Sequence, residues 1–360
     1  MNFWPSLSRT LVGLPVLMTL LPLWRTGRGW VRIWDFPRGQ IVGLGAIGAA
    51  CMLKQNGMRK ADKLLLAALG GSIAYQSAKI IPYTRLWKPQ VPSAKAVDPD
   101  CTIRLLMANV LMHNHRFDLM RKVVEEANAD VICLVETDDR WECEMRQLDR
   151  DYAWSNKCVL GNTYGMLLYS RLPLIDPITR FLVQEGVPSM RAAVRLPSGD
   201  DIMLYCLHPK PPMPDTSSYG RDAELVIVGT ELDASRKPSI VMGDLNDVAW
   251  SYTTTLFKRI SHTVDPRVGR GMYNTFHADH AWARYPLDHI FHTRDFTVVE
   301  LRRMSHTGSD HFPVLVELAY TPSRKNEIEH PTATVADVEA AQEILEDAGE
   351  QGLIGGQPDA

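Results

Sequence analysis

The sequence predicts a layered α/β sandwich preceded by membrane-crossing helices, and three observations carry that prediction. The first ninety residues hold three apolar segments; residues 101–320 alternate short apolar runs with polar turns; and acids, amides and histidines recur at the ends of those runs. At 360 residues the chain exceeds one typical domain, so two regions are expected rather than one core. Charge separates the ends. Met1 to Ala96 carries thirteen Lys or Arg against Asp35 and Asp62, whereas the stretch after Pro322 carries nine acids against Arg324 and Lys325. The formal net charge of -3 gives no global attraction to polyanions, so any nucleic-acid contact has to be local.

Trp4 to Trp24 contains Arg9 as its only charge, and about 20 apolar residues suffice to cross a bilayer core as a helix. A cleaved signal peptide fits less well, because Trp24-Arg25-Thr26-Gly27-Arg28 offers no small-residue cleavage site. Ile41 to Leu53 needs its flanks to complete a second span. Leu64 to Ile81 is long enough for a third, with Lys79 extending its ammonium toward the interface. Both linkers are basic. The first, with Trp24, Trp30 and Trp34, reads as interfacial; the second, with Lys54, Arg59, Lys60 and Lys63, reads as a cytoplasmic turn. Three spans then export the large domain. Gly43-Leu-Gly45-Ala-Ile-Gly48 matches a dinucleotide-binding pattern, but it sits inside an apolar segment rather than between a strand and a helix. Close helix packing explains its small residues better.

The organisation expected is therefore a transmembrane region at 1–85, a linker at 86–100 rich in proline, a soluble domain at 101–320 and an acidic, largely disordered tail at 321–360, in which Val335 to Leu345 has a loose helical face but reads as solvated tail rather than as a partner-binding helix. Within the domain, Arg104 to Asn109 and Asp130 to Val135 read as strands around a helix from Phe117 to Ala127. Further strands are expected at Gly165 to Ser170, Met190 to Leu196, Ile202 to Leu207, Ser239 to Met242, Leu287 to His292 and Phe312 to Leu318, with a helix around Ser218 to Leu232. Cys133 and Cys206 fall inside strand runs and read as buried thiols; the six cysteines form no close pair.

Polar residues follow the strands. Asn109, Glu136 and His208 each end or follow an apolar run, Asp244 and Asn246 follow Ile240 to Gly243, and Asp288-His289 and Asp310-His311 complete the series. Loop rims on a rigid scaffold are where sites form. Magnesium prefers oxygen ligands, so Glu136 and Asp310 can hold it with Asn109 nearby, while Asp244 takes a proton from water. Asn246, two residues on, points the same way if the backbone there is extended, and its amide can donate to a phosphate oxygen. His208 and His311 can donate to charge building on phosphorus, with Asp288 orienting His311. A zinc site lacks H-E-x-x-H or a cysteine pair, and Ser309 lacks the G-x-S-x-G turn of a nucleophile.

In order and content, these motifs resemble the endonuclease/exonuclease/phosphatase superfamily, the pancreatic-deoxyribonuclease-like fold, over about residues 101–320. The resemblance runs through Met107-Ala-Asn-Val110, Leu134-Val-Glu-Thr137, Tyr169-Ser-Arg-Leu-Pro173, Leu207-His-Pro-Lys210, Gly243-Asp-Leu-Asn246, Pro286-Leu-Asp-His289 and Gly308-Ser-Asp-His-Phe-Pro313. It implies a four-layer α/β sandwich of two packed sheets flanked by helices, a magnesium or manganese cofactor, and hydrolysis of a phosphodiester by in-line attack of water. By that resemblance Glu136 and Asp310 bind metal with Asn109, Asp244 activates water, Asn246 and His208 hold the phosphate, and Asp288 orients His311. The apolar segments, with Trp34-Asp-Phe-Pro-Arg38 and Pro82-Tyr-Thr84, look like a bacterial membrane subgroup. That implies a bacterial inner-membrane protein; with the second linker cytoplasmic, a multi-pass topology leaves the catalytic domain extracytoplasmic, and no protein partner is expected. Nucleic acid and phospholipid both stay open as substrate, as does a catalytically silent scaffold. Arginines such as Arg221 and Arg267 read mostly as surface charge, although Arg267 to Arg270 is placed to reach a substrate.

Overall fold

The computed structural model describes residues 3–354 except 56, 96 and 214, and contacts divide it into two units: Met1–Lys88 with Pro212–Ser218, and Pro89–Pro211 with Tyr219–Ala360. The first is helical, with α1 (Phe3–Leu20), α2 (Gly29–Arg32), α3 (Arg38–Leu53) and α4 (Lys60–Ile80). Val12, Met52 and Leu69 are its buried apolar centre. A Cβ on Gly45 meets Leu69 Cδ1 at 2.8 Å, and one on Gly48 meets the Leu11 carbonyl oxygen at 2.6 Å. The glycine run thus lets three helices approach closely. Among the described residues two helices, Ser6–Leu23 and Lys60–Tyr83, are long and apolar enough to cross a membrane; a third span results if Gly29–Asp35 and Arg38–Leu53, bent by 74°, count as one. Segment Pro212–Ser218 belongs to this unit through Gly29 N donating to Thr216 O (3.0 Å) and Ser218 N donating to Gly27 O (2.7 Å).

Among the described residues the second unit contains eleven strands: β1 (Thr102–Asn109), β2 (Val131–Val135), β3 (Trp154–Cys158), β4 (Met166–Ser170), β5 (Leu174–Arg180), β6 (Ser189–Arg195), β7 (Asp201–Leu207), β8 (Ser239–Asp244), β9 (Asp288–His292), β10 (Phe296–Arg303) and β11 (Val314–Tyr320). They form a six-stranded sheet, β10-β11-β1-β2-β4-β3, and a five-stranded sheet, β5-β6-β7-β8-β9. Helices α5 (Phe117–Ala127) and α6 (Asp139–Met145) accompany the first sheet; α7 (Tyr219–Ser235), α8 (Tyr252–Ile260) and α9 (Val335–Glu350) accompany the second.

Strand period 2 builds the layers. Leu105, Met107, Cys133 and Val135 meet Leu204, Cys206, Ile240 and Met242 between the sheets, while Leu106, Ala108, Ile132 and Leu134 turn outward onto Met120, Val123 and Val124 of α5. Tyr205, Leu207 and Val241 face Leu225, Val228 and Leu232 of α7 with Phe257 of α8. The result is the four-layer α/β sandwich the sequence predicts. Each Val, Leu, Ile, Met or Phe among them contributes roughly 1.5–3 kcal/mol by leaving water. Cys133 and Cys206 are free and buried.

The tail departs from expectation. Residues 335–350 form α9, with Ala340, Ala341 and Ala348 buried. Thr334 Oγ1 accepts from Asp337 N while Asp337 Oδ2 accepts from Thr334 N, closing a capping box, and Arg259 holds Asp337 at 3.0 Å. A solvated tail therefore does not describe this stretch; the Gly355-Gly-Gln-Pro358 end lies outside the described residues.

Candidate active site

Two parallel pairs aim at one rim. β1 and β2 run parallel, as do β7 and β8, so Asn109, Glu136, His208 and Asp244 all stand at or just beyond carboxyl ends. Antiparallel β9 brings Asp288 opposite Asp244, and β11 starts just after Asp310-His311. Gly243 makes the close approach possible: a Cβ there collides with the Leu207 carbonyl oxygen.

The side chains interlock. Asn109 Nδ2 donates to Glu136 Oε1 (2.7 Å) and Asp244 Oδ2 (3.0 Å), and its Oδ1 accepts from Leu111 N at 3.0 Å. The His311–Asp288 bond joins Nδ1 and Oδ2 at 2.7 Å, and His311 Nε2 stands 3.6 Å from Asp244 Oδ2. His208 Nε2 is 4.0 Å from the same oxygen. Ser309 is a brace, its hydroxyl donating to the Asn109 carbonyl (2.8 Å) and accepting from His311 N (3.0 Å). Glu136 and Asn246 hold positive φ values of +59° and +51°, an uncommon backbone state concentrated at functional sites.

Asn246 is therefore not extended. Its N–H donates to Asp244 Oδ1 (2.9 Å), and its Nδ2 donates to the Pro209 carbonyl (2.9 Å), so the amide joins the Asp244 and His208 loops. The polar turn closed by Asp244 is cheaper for this loop than continuing the strand. Two arginines also differ from expectation. Arg221 is buried and donates to the Asn246 carbonyl at 2.9 Å; Arg267 is buried on Asp265 (2.8 Å) and His289 Nδ1 (2.6 Å), and donates to the Asp288 carbonyl at 3.3 Å. Both brace the rim from beneath.

Burial and neighbouring acids together set the electrostatics. Burial pushes the Glu136 carboxyl up to about 7, the Asn109 bond opposing and Asp244 and Asp310 adding repulsion. Burial likewise raises Asp244, with His311 opposing. For His311 burial disfavours the charge, but Asp288, Asp244 and Asp310 outweigh it and push the imidazole up to about 10. Burial holds His208 down to about 4, so it is neutral near pH 7.

A hard divalent cation fits this donor set. Glu136 and Asp310 supply oxygens, and the charge imbalance at Glu136 is what such an ion relieves. Asp244, Asp288 and His311 also place three donor atoms within 4.8 Å of one another. Their chemistry argues against a cage there, because Asp288 is committed to His311 and that imidazole keeps its proton. One residue escaped the sequence reading. Tyr164 lies 5.4 Å ring to ring from His208, and the charges of Glu136 and Asp244 reach its hydroxyl. Its setting, Gly161-Asn-Thr-Tyr-Gly165, reads as an ordinary turn.

Two packed sheets with a carboxylate–histidine rim make a phosphoesterase-type fold. The chain belongs to the endonuclease/exonuclease/phosphatase family, whose model matches residues 108–311. No curated protein sequence matches it. Among solved structures it is similar to an endonuclease/exonuclease/phosphatase from Beutenbergia cavernae DSM 12333, with TM-score 0.51 and 18% identity over 61% of this chain and 72% of that one. It is also similar to a D. rerio TDP2 humanized by 14 mutations, with TM-score 0.52 and 14% identity over 61% and 99%. The human Nocturnin catalytic domain with bound sulfate anion gives 0.50 and 15% over 63% and 97%. At such identities these likenesses show the fold.

Proposed function

We propose that this protein is a membrane-anchored, magnesium- or manganese-dependent phosphodiesterase. The observation carrying the proposal is the convergence of Asn109, Glu136, His208, Asp244, Asp288 and His311 on one rim, with Asn109 bridging Glu136 and Asp244. Glu136 and Asp310 would hold the cation, which would supply positive charge against the phosphate when bound. Asp244, raised by burial, takes the proton of the attacking water. Asn109 fixes that carboxylate by its 3.0 Å bond. His311, kept protonated by Asp288, and neutral His208 donate N–H groups toward charge growing on the phosphoryl oxygens. Asn246 acts mainly by joining the two loops, with its spare amide hydrogen available to phosphate.

Membrane anchoring is supported by the two long apolar helices and by Leu14, Leu17, Leu20 and Leu23 standing exposed along the first. A multi-pass topology with the catalytic domain outside the cytoplasm accords with the basic turn at Lys54 to Lys63. Hydrolysis of bis-p-nitrophenyl phosphate by the full chain in detergent, with Mg²⁺, Mn²⁺ or chelator, tests the chemistry. Turnover that chelator abolishes and Mn²⁺ restores is expected; chelator-insensitive turnover, or none from folded protein, overturns it.

A further inference from the structure

Beside the rim lies a pocket of about 450 Å³, within the range of small-molecule sites. Its wall includes Tyr164, Gln184, Glu185, Val187, Lys210 and Leu353. Tyr164 connects it to the chemistry, since its ring stands 5.4 Å from His208; Lys210 follows His208 by two residues, behind the Pro209 carbonyl that Asn246 grips. We propose that this pocket receives one ester group of the phosphodiester, a hydroxyl-bearing group of nucleoside or sugar size, and that the C-terminal segment completes its wall. The proposal rests on the phosphodiesterase reading of the rim.

The lining selects the occupant. An amide, a carboxylate, an ammonium and a phenol offer donors and acceptors to hydroxyls or a base, and the Tyr164 ring offers a stacking face. The apolar share, Val183, Val187 and Leu353, is too small to bury an acyl chain. The pocket is also built rather than incidental. Asn162 Nδ2 donates to the Gly186 carbonyl (2.8 Å) and its Oδ1 accepts from Tyr164 N (3.1 Å), tying the two loops that face it. At the far wall, α9 ends in a reversal: Leu353 N donates to Ala348 O (2.9 Å), Gly352 N to Gly349 O (2.9 Å), and Gly352 sits at φ +69°. That paired bonding with a left-handed glycine is the Schellman stop, and it turns Leu353 back toward the pocket. A helix that packs by small alanines thus delivers one larger side chain to the substrate side.

The test compares kcat/KM of the full chain, with Mn²⁺, for thymidine p-nitrophenyl phosphate and methyl p-nitrophenyl phosphate. Both release p-nitrophenolate and differ only in the second ester group. Wild type should prefer the thymidine ester. Leu353→Trp, which fills the pocket, should lower the thymidine-to-methyl ratio at least about tenfold, mainly through KM, and Gln184→Ala should lower it about fivefold. Melting curves confirm that each variant is folded. No preference in wild type, or an unchanged ratio in both variants, overturns the pocket while leaving the phosphodiesterase reading intact. Failure of wild type to turn over either ester overturns both.

Discussion

The two units treat buried charge in opposite ways. In the helical unit Arg38 donates to Asp35 (2.5 Å) and Gln76 (2.6 Å), Gln76 donates to Thr19 (3.0 Å), and Arg9 meets Asp62 at 2.7 Å. The buried charges there, Arg32, Asp35, Arg38 and Asp62, each have a counter-charge within reach. At the sandwich rim Asp244, Asp288 and Asp310 surround one imidazolium, and burial, with Asp244 and Asp310 adding repulsion, raises Glu136 to about 7. Paired charges brace the helices, whereas a buried rim short of positive charge has the character of a functional site.

The sharpest way to break that contrast is Asp244→Asn, which keeps the shape and removes the base. Hydrolysis should fall about 10³-fold while the melting temperature holds or rises, because a buried carboxylate that costs stability has gone. A variant that instead unfolds would place Asp244 among the structural charges. In the helical unit the reverse should hold: Asp35→Asn strands Arg38 and should cost about 3 kcal/mol of stability in detergent, with kcat unaffected.

The same contrast explains what the sequence makes legible. Central strands such as β1, β2 and β8 are covered on both faces, so they read as unbroken apolar runs. The strands that escape prediction, β3, β5 and β10, are all sheet edges. Edges carry polar residues, proline and bulges; β5 contains Pro177 and a register shift between Ile175 and Ile178. At the site, strand-end residues Asn109, Glu136, His208 and Asp244 could be read because position on a strand implies a shared rim. Tyr164 lies in a loop, where its neighbours advertise only a turn, and α9 packs through alanines too small to produce a clear apolar stripe.

Two pH experiments sharpen the comparison away from the rim. Burial raises Glu224, on α7, from 4.5 to about 8. Its neutral form costs the fold little below pH 4.5, and ionisation penalises the fold increasingly as pH rises toward 8. Glu224→Gln should therefore recover roughly 2–5 kcal/mol above pH 8 and nothing at pH 4, as denaturant melts at the two pH values would read. Asp265 has the opposite sign. Burial opposes its charge, but Arg267 more than compensates and lowers it from 3.8 to about 2. That pair stabilises the fold above pH 4 and loses its effect as pH falls through 2, so Asp265→Asn should cost about 2 kcal/mol at pH 7 and almost nothing near pH 2.

Calorimetric titration of the full chain with Mn²⁺ tests the central claim most directly. One ion should bind per chain in wild type and in Asp35→Asn, and binding should weaken at least about tenfold in Glu136→Gln. Mn²⁺ binding that survives Glu136→Gln undiminished, or its absence from folded wild-type protein, would contradict the assignment of the acid-crowded rim as a metal-dependent active site.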